Sequence, residues 1–203
     1  VKSVLVDLND AAATLPNSYN SVENITPLET PLSSTINGAA LATPVFLSLY
    51  AENDLRLDKY FAETDEKGFR KNKKAGSNNY LCTFRVGEIY LTAAEAAARL
   101  GELSQARTRL LELMRKRYAP EAYEAKSVVV NAMDKEALVQ EILDERAREL
   151  AFEGHRWFDL RRSTRPRLEK VLDGTRYVLE ENDARFTLAI PKEAIEANPG
   201  LLN

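Results

Sequence analysis

The clearest pattern along the chain is a helical repeat of apolar positions in FRVGEIYLTAAEAAARLG (84–101). Apolar residues recur there at spacings of four and three, which is typical of one buried face of an α-helix: Val86, Tyr90, Ala93, Ala97 and Leu100. On another face, Glu95 and Arg99 have the i,i+4 spacing of a helical ion pair. Gly101 follows the last apolar position and is predicted to end this helix.

A second helix is predicted directly after Gly101, in LSQARTRLLELMRKRY (103–118). Ser104 is its predicted N-cap, and its apolar positions are Leu103, Ala106, Leu110 and Leu113. Small residues near the turn allow the two helices to approach closely, so the two helices resemble one tetratricopeptide-type pair. A single pair cannot bury its own faces, so other helices must pack against it.

A third, longer helix is predicted over 134–154, with Asp134 as its cap and Gly154 at its end. Its apolar positions widen near the C-terminus, which indicates burial on more than one side. Farther along, Tyr177–Leu179, a polar turn at 181–183 and the alternating residues Phe186, Leu188 and Ile190 predict a β-hairpin. The chain is predicted to be mainly α-helical, with long loops and this small hairpin near the C-terminus.

Residues 1–44 are weakly patterned and rich in Pro, Asn, Ser and Thr, so they are predicted to be mostly loop, with a short helix near 39–49. Sugar sites use aromatic faces and side-chain amides. The candidate glycan-binding residues are therefore those of LPNSYNSVEN: Asn17, Tyr19, Asn20 and Asn24. The alternative is an ordinary asparagine-rich loop. We expect 1–203 to form a single domain.

Composition excludes several classes of protein. The net charge of −3 argues against nucleic-acid binding, which draws on a surplus of basic residues. The single cysteine, Cys82, cannot form an internal disulfide, and no stretch approaches the length of a membrane helix. One histidine with one distant cysteine offers no metal site, and no cofactor is expected. The first residues contain no recognisable secretory signal, and we expect the chain to be a fragment of a longer protein.

The densest charge lies in ERARELAFEGHRWFDLRR (145–162), where the apolar Trp157, Phe158 and Leu160 are interleaved with charged residues. Burial of these apolar residues would draw their charged neighbours inside, where charges persist only in pairs. Arginine is suited to such pairing. The predicted ion-pair cluster consists of Glu145, Arg146, Arg148, Glu149, Glu153, Arg156, Asp159 and Arg161.

Other interpretations of this stretch are weaker. Paired carboxylates could act as acid and base on a sugar, but neighbouring arginines would hold them ionised. His155 could bind a metal, Trp157 could stack on a sugar, and Arg161 with Arg162 could hold phosphate. A structural cluster that orients the last helix against the helix pair is the favoured interpretation.

The order of these segments resembles the C-terminal half of SusD/RagB-type proteins. The resemblance rests on the helix pair, on ERARELAFEGHRWFDLRR, on the ending LAIPKEAIEANPGLLN with Pro191, Glu193, Asn198 and Pro199, and on Asp54 and Arg56 in LYAENDLRLDKYF. It covers residues 45–203, whereas 1–44 correspond to a variable region of the family. The chain is much shorter than typical members and lacks their lipidated N-terminal cysteine, a position that Cys82 cannot fill.

The resemblance implies a function that the residues alone do not. SusD-like proteins are lipid-anchored at the outer-membrane surface of polysaccharide-using bacteria, where they bind glycan without cleaving it. They cover a SusC-like TonB-dependent transporter that takes up the glycan, and their fold is mainly helical. The resemblance therefore implies a non-enzymatic glycan-binding protein whose partners are a glycan and this transporter. The alternative is a protein-interaction scaffold with no glycan site of its own.

Overall fold

The computed structural model describes residues 41–73, 84–172, 174–187, 189–198 and 200, together with the backbone of 24–26. It divides into two compact units, Val1–His155 and Arg156–Asn203, which are described separately below. As predicted, the described chain is mainly helical, with a small antiparallel strand pair near the C-terminus.

The first unit combines helices with short antiparallel strands. Its helices are α1 (Pro44–Leu47), α2 (Arg56–Tyr60), α3 (Val86–Leu100), α4 (Leu103–Met114), α5 (Pro120–Ala132) and α6 (Lys135–Glu149). Its strands are β1 (Asn24–Thr26), β2 (Leu41–Ala42), β3 (Phe61–Thr64), β4 (Arg70–Asn72) and β5 (Phe84–Arg85). Strand β1 pairs with β5, and β4 lies between β2 and β3.

The core of this unit lies where α3 packs against both α4 and α6. The predicted stripe of α3 is buried except for Leu100, which packs against the core from its edge. Gly101 ends α3 in the left-handed conformation, with φ 85°, as its position predicts. The predicted cap at Ser104 is wrong: α4 begins at Leu103, so its N-cap position is Glu102, which makes no side-chain hydrogen bond.

Three other helical segments differ from the prediction. The helix expected near 39–49 is instead β2 followed by α1, because Thr43 caps α1 with Pro44 as its first residue. Helix α5 was not predicted, since Val130 is its single buried residue and the apolar stripe is therefore weak. Helix α6 is capped by Asp134 as predicted but ends at Glu149, before the left-handed backbone of Phe152 and Gly154 interrupts it.

Helix α7 (His155–Arg162) begins at the last residue of the first unit and continues into the second. The second unit also contains β6 (Leu168–Leu172), β7 (Thr175–Leu179), a 3₁₀ turn at Ala184–Phe186 and α8 (Lys192–Ala197). Phe186 is fully buried and stacks on Trp157, with ring centroids 5.3 Å apart. The expectation that Phe158 is buried is wrong, because its side chain is 63% exposed.

The C-terminal hairpin uses a different pair of strands from the predicted one. Strand β7 pairs with the preceding β6, in a register that places Lys170 opposite Tyr177. Phe186, expected on a second strand, instead lies in the 3₁₀ turn, where the Asp183 side chain accepts a hydrogen bond from the Arg185 N–H at 2.8 Å. An alternating pattern therefore identified β7 but not its partner.

Candidate functional site

The most highly charged interior of the first unit is a buried ion-pair network. We define it by eight residues with four positive and four negative charges: Asp54, Arg56, Arg85, Arg117, Glu145, Arg148, Glu149 and Glu153. Backbone pairing brings two of its segments together, because Asp54 forms a β-bridge with Tyr118 and the Leu55 N–H donates to the Arg117 carbonyl at 2.9 Å. Helix α6 supplies the carboxylates of Glu145 and Glu149.

Glu149 lies at the centre of the network and is fully buried. Arg117 donates to both of its carboxylate oxygens, each at 2.8 Å, in the two-pronged geometry that arginine favours. Arg56 and Arg85 each add a further bond, both at 3.1 Å. The side chain also lies against Gly87, where a Cβ atom would be 2.9 Å from Oε1. Glu149 therefore binds three cations and leaves no space for a side chain at position 87.

Arg56 connects three of the carboxylates. Its guanidinium donates to both oxygens of Asp54, at 2.9 and 2.8 Å, and to Glu145 at 2.7 Å, besides the bond to Glu149. It also donates to the Tyr118 hydroxyl at 3.2 Å, and its carbon lies 5.3 Å from the centre of that ring. This fully buried cation is thus surrounded by carboxylates and aromatic rings.

Two outer pairs, Arg148 with Glu145 and Arg85 with Glu153, border the centre of the network. Arg148 contacts Glu145 at 2.8 Å and also Glu141, which lies outside the network, at 2.6 Å. Arg85 holds Glu153 through two bonds, at 3.1 and 2.8 Å. These outer groups neutralise the central charges and anchor the turn that follows α6.

The arginines determine the protonation of the buried carboxylates. Burial opposes ionisation of Glu145, but the charges of Arg56 and Arg148, with a hydrogen bond from Arg56, lower its pKa to about 2. Burial opposes ionisation of Glu149 too, and the neighbouring Arg117 contributes most to holding its pKa well below the ordinary value. Burial raises the pKa of the Tyr118 hydroxyl. Both carboxylates are therefore ionised at neutral pH.

This electrostatic arrangement does not suit acid–base chemistry. A glycoside hydrolase needs one carboxyl group whose raised pKa keeps it protonated, so that it can donate a proton to the leaving oxygen. In the network the arginines lower the pKa of Glu145 and Glu149 instead. The paired charges connect α2, β5 and α6 and are suited to holding these elements together.

The structure distributes the residues of the predicted ion-pair cluster over several places. Glu145, Arg148, Glu149 and Glu153 lie in the network, as described above. Arg146 donates to the Thr92 hydroxyl at 3.1 Å, on the α3 side of the helix. Of the residues in the second unit, Asp159 pairs with Arg162 at 2.6 Å, and Arg156 is partly buried in α7.

The place of Arg161 in the cluster stays a prediction, since its guanidinium makes no ion pair with the residues that the structure describes. Its backbone carbonyl accepts a hydrogen bond from Arg165 Nε at 2.9 Å. Sequence reasoning also missed the network's cations at positions 85 and 117, which no local pattern marks. For Arg56 a signal exists in the Asp54–Arg56 spacing, which contributes only to the family resemblance in the sequence.

Asn17, Tyr19, Asn20 and Cys82 lie outside the described residues. Asn24 begins β1, where its backbone pairs with that of Arg85. Within the described ranges there is no group of three or more side chains that could hold a metal ion. None of the described helices is both long enough and apolar enough to cross a membrane.

Comparison with known proteins places these features in a family context. A model described as the SusD family matches residues 39–203. The fold is similar to the crystal structure of a SusD-like carbohydrate binding protein from Bacteroides vulgatus ATCC 8482, with a TM-score of 0.51 and 19% sequence identity. The match covers 77% of this chain and 40% of that chain, so this chain spans about 40% of the length of that relative. No curated protein matches.

Proposed function

This chain belongs to the SusD family, and from that premise we propose that it takes part in binding glycan without cleaving it. The observation that supports this most strongly is the family match over 39–203, which includes both the helix pair and the α6–α7 segment. The similar fold of a carbohydrate binding protein adds support. The pKa shifts of Glu145 and Glu149 favour a structural role for these carboxylates over a catalytic one.

We further propose the cellular setting that family membership implies. The protein acts at the outer-membrane surface, anchored by a lipid in its full-length form, and delivers glycan to a SusC-like TonB-dependent transporter. The α3–α4 pair is the tetratricopeptide-like element, and such pairs face the transporter in this family. The buried ion-pair network keeps α6 in position against α3, the first helix of this pair.

The candidate glycan-binding residues remain Asn17, Tyr19, Asn20 and Asn24. Their amides and phenol ring offer hydrogen bonds and a stacking face for sugar hydroxyls and C–H groups. If Tyr19 is such a stacking face, Tyr19→Ala weakens glycan affinity about fivefold to tenfold. Tyr177→Ala is the matched control, since Tyr177 is an exposed tyrosine on β7.

The deciding experiment is isothermal titration of the 203-residue chain against plant, host and microbial polysaccharides, with reducing-sugar release followed in the same samples. A longer parent protein is titrated in parallel. Saturable binding without sugar release supports the proposal. Sugar release would contradict it, and binding by the parent alone would place the glycan site outside this chain.

A pull-down with a SusC-like transporter separates the two functions that the sequence left open. Capture of the transporter by a chain that binds none of the polysaccharides would support the protein-interaction scaffold instead. Capture together with glycan binding supports the uptake role.

A further inference from the structure

Positive charge is concentrated around the C-terminal end of α7. Residues 155–167 contain five arginines and one aspartate, in a chain whose net charge is −3. Two of these arginines are neutralised locally: Arg162 by Asp159 at 2.6 Å, and Arg167 by Glu169 at 2.9 Å. The segment therefore has a positive surplus in an acidic protein.

Arg161 and Arg165 account for much of this surplus. In the part of the chain that the structure describes, neither guanidinium forms an ion pair with a carboxylate. Arg165 donates through Nε to the Arg161 carbonyl, which fixes its guanidinium beside the last turn of α7. The exposed guanidinium of Arg165 thus lies beside the backbone of the partly exposed Arg161.

The backbone of Arg165 is held in an uncommon conformation. Its φ of 43° is in the left-handed region, which non-glycine residues rarely adopt. The Arg165 N–H donates to the Leu160 carbonyl at 3.0 Å, and the Arg165 carbonyl accepts from the Asn182 N–H at 2.9 Å. These bonds hold the backbone of Arg165 in place before any ligand arrives, which lowers the entropy that binding must offset.

An exposed aromatic residue, Phe158, has the spacing that places it on the same face of α7 as Arg161. Phe158 precedes Arg161 by three residues and Arg162 by four, spacings that share one face of a helix. The Phe158 side chain is 63% exposed. The favourable effect of cations at a helix C-terminus accounts for the arginines but not for a phenylalanine exposed beside them.

The combination matches the chemistry of an acidic sugar. A pyranose ring offers an apolar C–H face for an aromatic side chain, and the carboxylate of a uronic acid accepts paired hydrogen bonds from a guanidinium. A neutral sugar would use the ring and leave the cations without a partner. Building on the proposed glycan-binding function, we propose that Phe158, Arg161 and Arg165 form a binding site for uronic-acid residues of an acidic polysaccharide.

The test uses isothermal titration of the 203-residue chain with polygalacturonate, alginate and hyaluronan, each compared with its carboxyl-reduced form. We expect binding to at least one of the three uronates. Carboxyl reduction is expected to weaken that binding by about tenfold. Added NaCl is expected to weaken it too, because salt screens exposed charges.

Two variants locate the site. Arg161→Gln combined with Arg165→Gln is expected to lower uronate affinity by about tenfold, and Phe158→Ala by about fivefold. The matched control is Arg115→Gln combined with Lys116→Gln. It removes two exposed cations at the C-terminal end of α4, with the same change in net charge. The control is expected to keep the parent affinity, and circular dichroism checks that all variants are folded.

Several outcomes would overturn the site. Equal binding of a uronate and its carboxyl-reduced form, or equal losses in the control and the arginine variant, would leave glycan binding intact but remove this site. Binding of neutral polysaccharides alone would do the same, whereas binding of no polysaccharide by either this chain or the longer parent would refute the proposed function as well. Binding to phosphatidylglycerol vesicles that the arginine variant loses, without uronate binding, would assign the arginines to a lipid surface instead.

Discussion

At the scale of single residues, Glu149 is closely surrounded by charged partners and by backbone. Three arginines donate to its carboxylate, and its neighbours include the backbone of α3 at Gly87. A buried ion pair adds little net stability, but removing one partner leaves uncompensated charge in the interior. Glu149 therefore affects stability chiefly through what its loss would expose.

We expect Glu149→Ala to lower the free energy of unfolding by about 3–5 kcal/mol, because three buried guanidinium groups would lose their shared acceptor. Urea denaturation followed by circular dichroism measures the change. Glu124→Ala on α5 is the control, since Glu124 is exposed, and it should change stability by less than about 0.5 kcal/mol. A Glu149→Ala variant as stable as the parent would contradict the role assigned to the network.

Gly87→Ala should also destabilise the protein, by about 1–3 kcal/mol, although alanine is ordinarily the better helix residue. Its Cβ atom would lie 2.9 Å from Glu149 Oε1, which is too close for a real contact. In a Glu149→Ala background the contact disappears, so Gly87→Ala should become neutral or stabilising. A double-mutant cycle measured by urea denaturation tests this change of sign.

Sequence alone identified only part of this site. Four of the network's residues lie within ERARELAFEG, so their charge density and the absence of lysine marked them. Their main cationic partners are distant in the chain: Arg56 is 93 positions from Glu149, and Arg85 is 64 positions from it. Spacing rules describe neighbours along one helix and cannot pair residues so far apart.

At the scale of secondary structure, predictions were reliable where apolar residues face one way. The α3–Gly101–α4 segment was recognised because its buried face repeats at helical spacing. Helix α5 was missed because its valines at 128 and 129 face solvent and only Val130 is buried. The C-terminal hairpin was predicted with the wrong partner strand, since alternation shows that a segment is extended but not what it pairs with.

The helix caps provide an element-scale prediction. The Asp134 side chain accepts a hydrogen bond from the Ala137 N–H at 2.9 Å, so Asp134→Ala should cost about 1 kcal/mol. Ser104 lies inside α4 and caps nothing, so Ser104→Ala should change stability by less than about 0.5 kcal/mol. Thermal melts of both variants test the boundary of α4, because a large loss at Ser104 would restore the cap predicted from the sequence.

At the scale of the whole molecule, the lowered pKa of Glu145 links stability to pH. A carboxyl group whose pKa falls on folding stabilises the protein above its unfolded pKa and loses this effect as pH falls through its folded pKa. For Glu145 that interval runs from 4.5 down to about 2. Glu149 shifts in the same direction.

We therefore expect the thermal midpoint to vary little near neutral pH and to fall progressively between about pH 4.5 and about pH 2. Far-UV circular dichroism over a pH series measures this fall. Glu145→Gln should be less stable at neutral pH and show a shallower acid slope, because one titrating group has been removed. An equal slope in parent and variant would show that other carboxyl groups govern acid unfolding.

The structure divides into two compact units. The expectation that 1–203 form a single domain stays a prediction. The family and the mainly helical fold were recognised correctly from the order of segments. That order was informative because several weak signals occurred in one sequence, although none was specific alone. The candidate glycan-binding residues had no comparable signal, because asparagine-rich loops are common.

The long sequence separations within the ion-pair network have a consequence for how the chain folds. Contacts between distant segments form slowly, because the intervening chain must first be closed into loops. Arg56, Arg85 and Arg117 can enter the interior at low energetic cost only after Glu149 is in place to receive them. Compact states that misplace any of the three segments would hold an unpaired buried charge and lie well above the native state. We therefore infer that the network selects against misfolded arrangements, even where it adds little to the stability of the correct one.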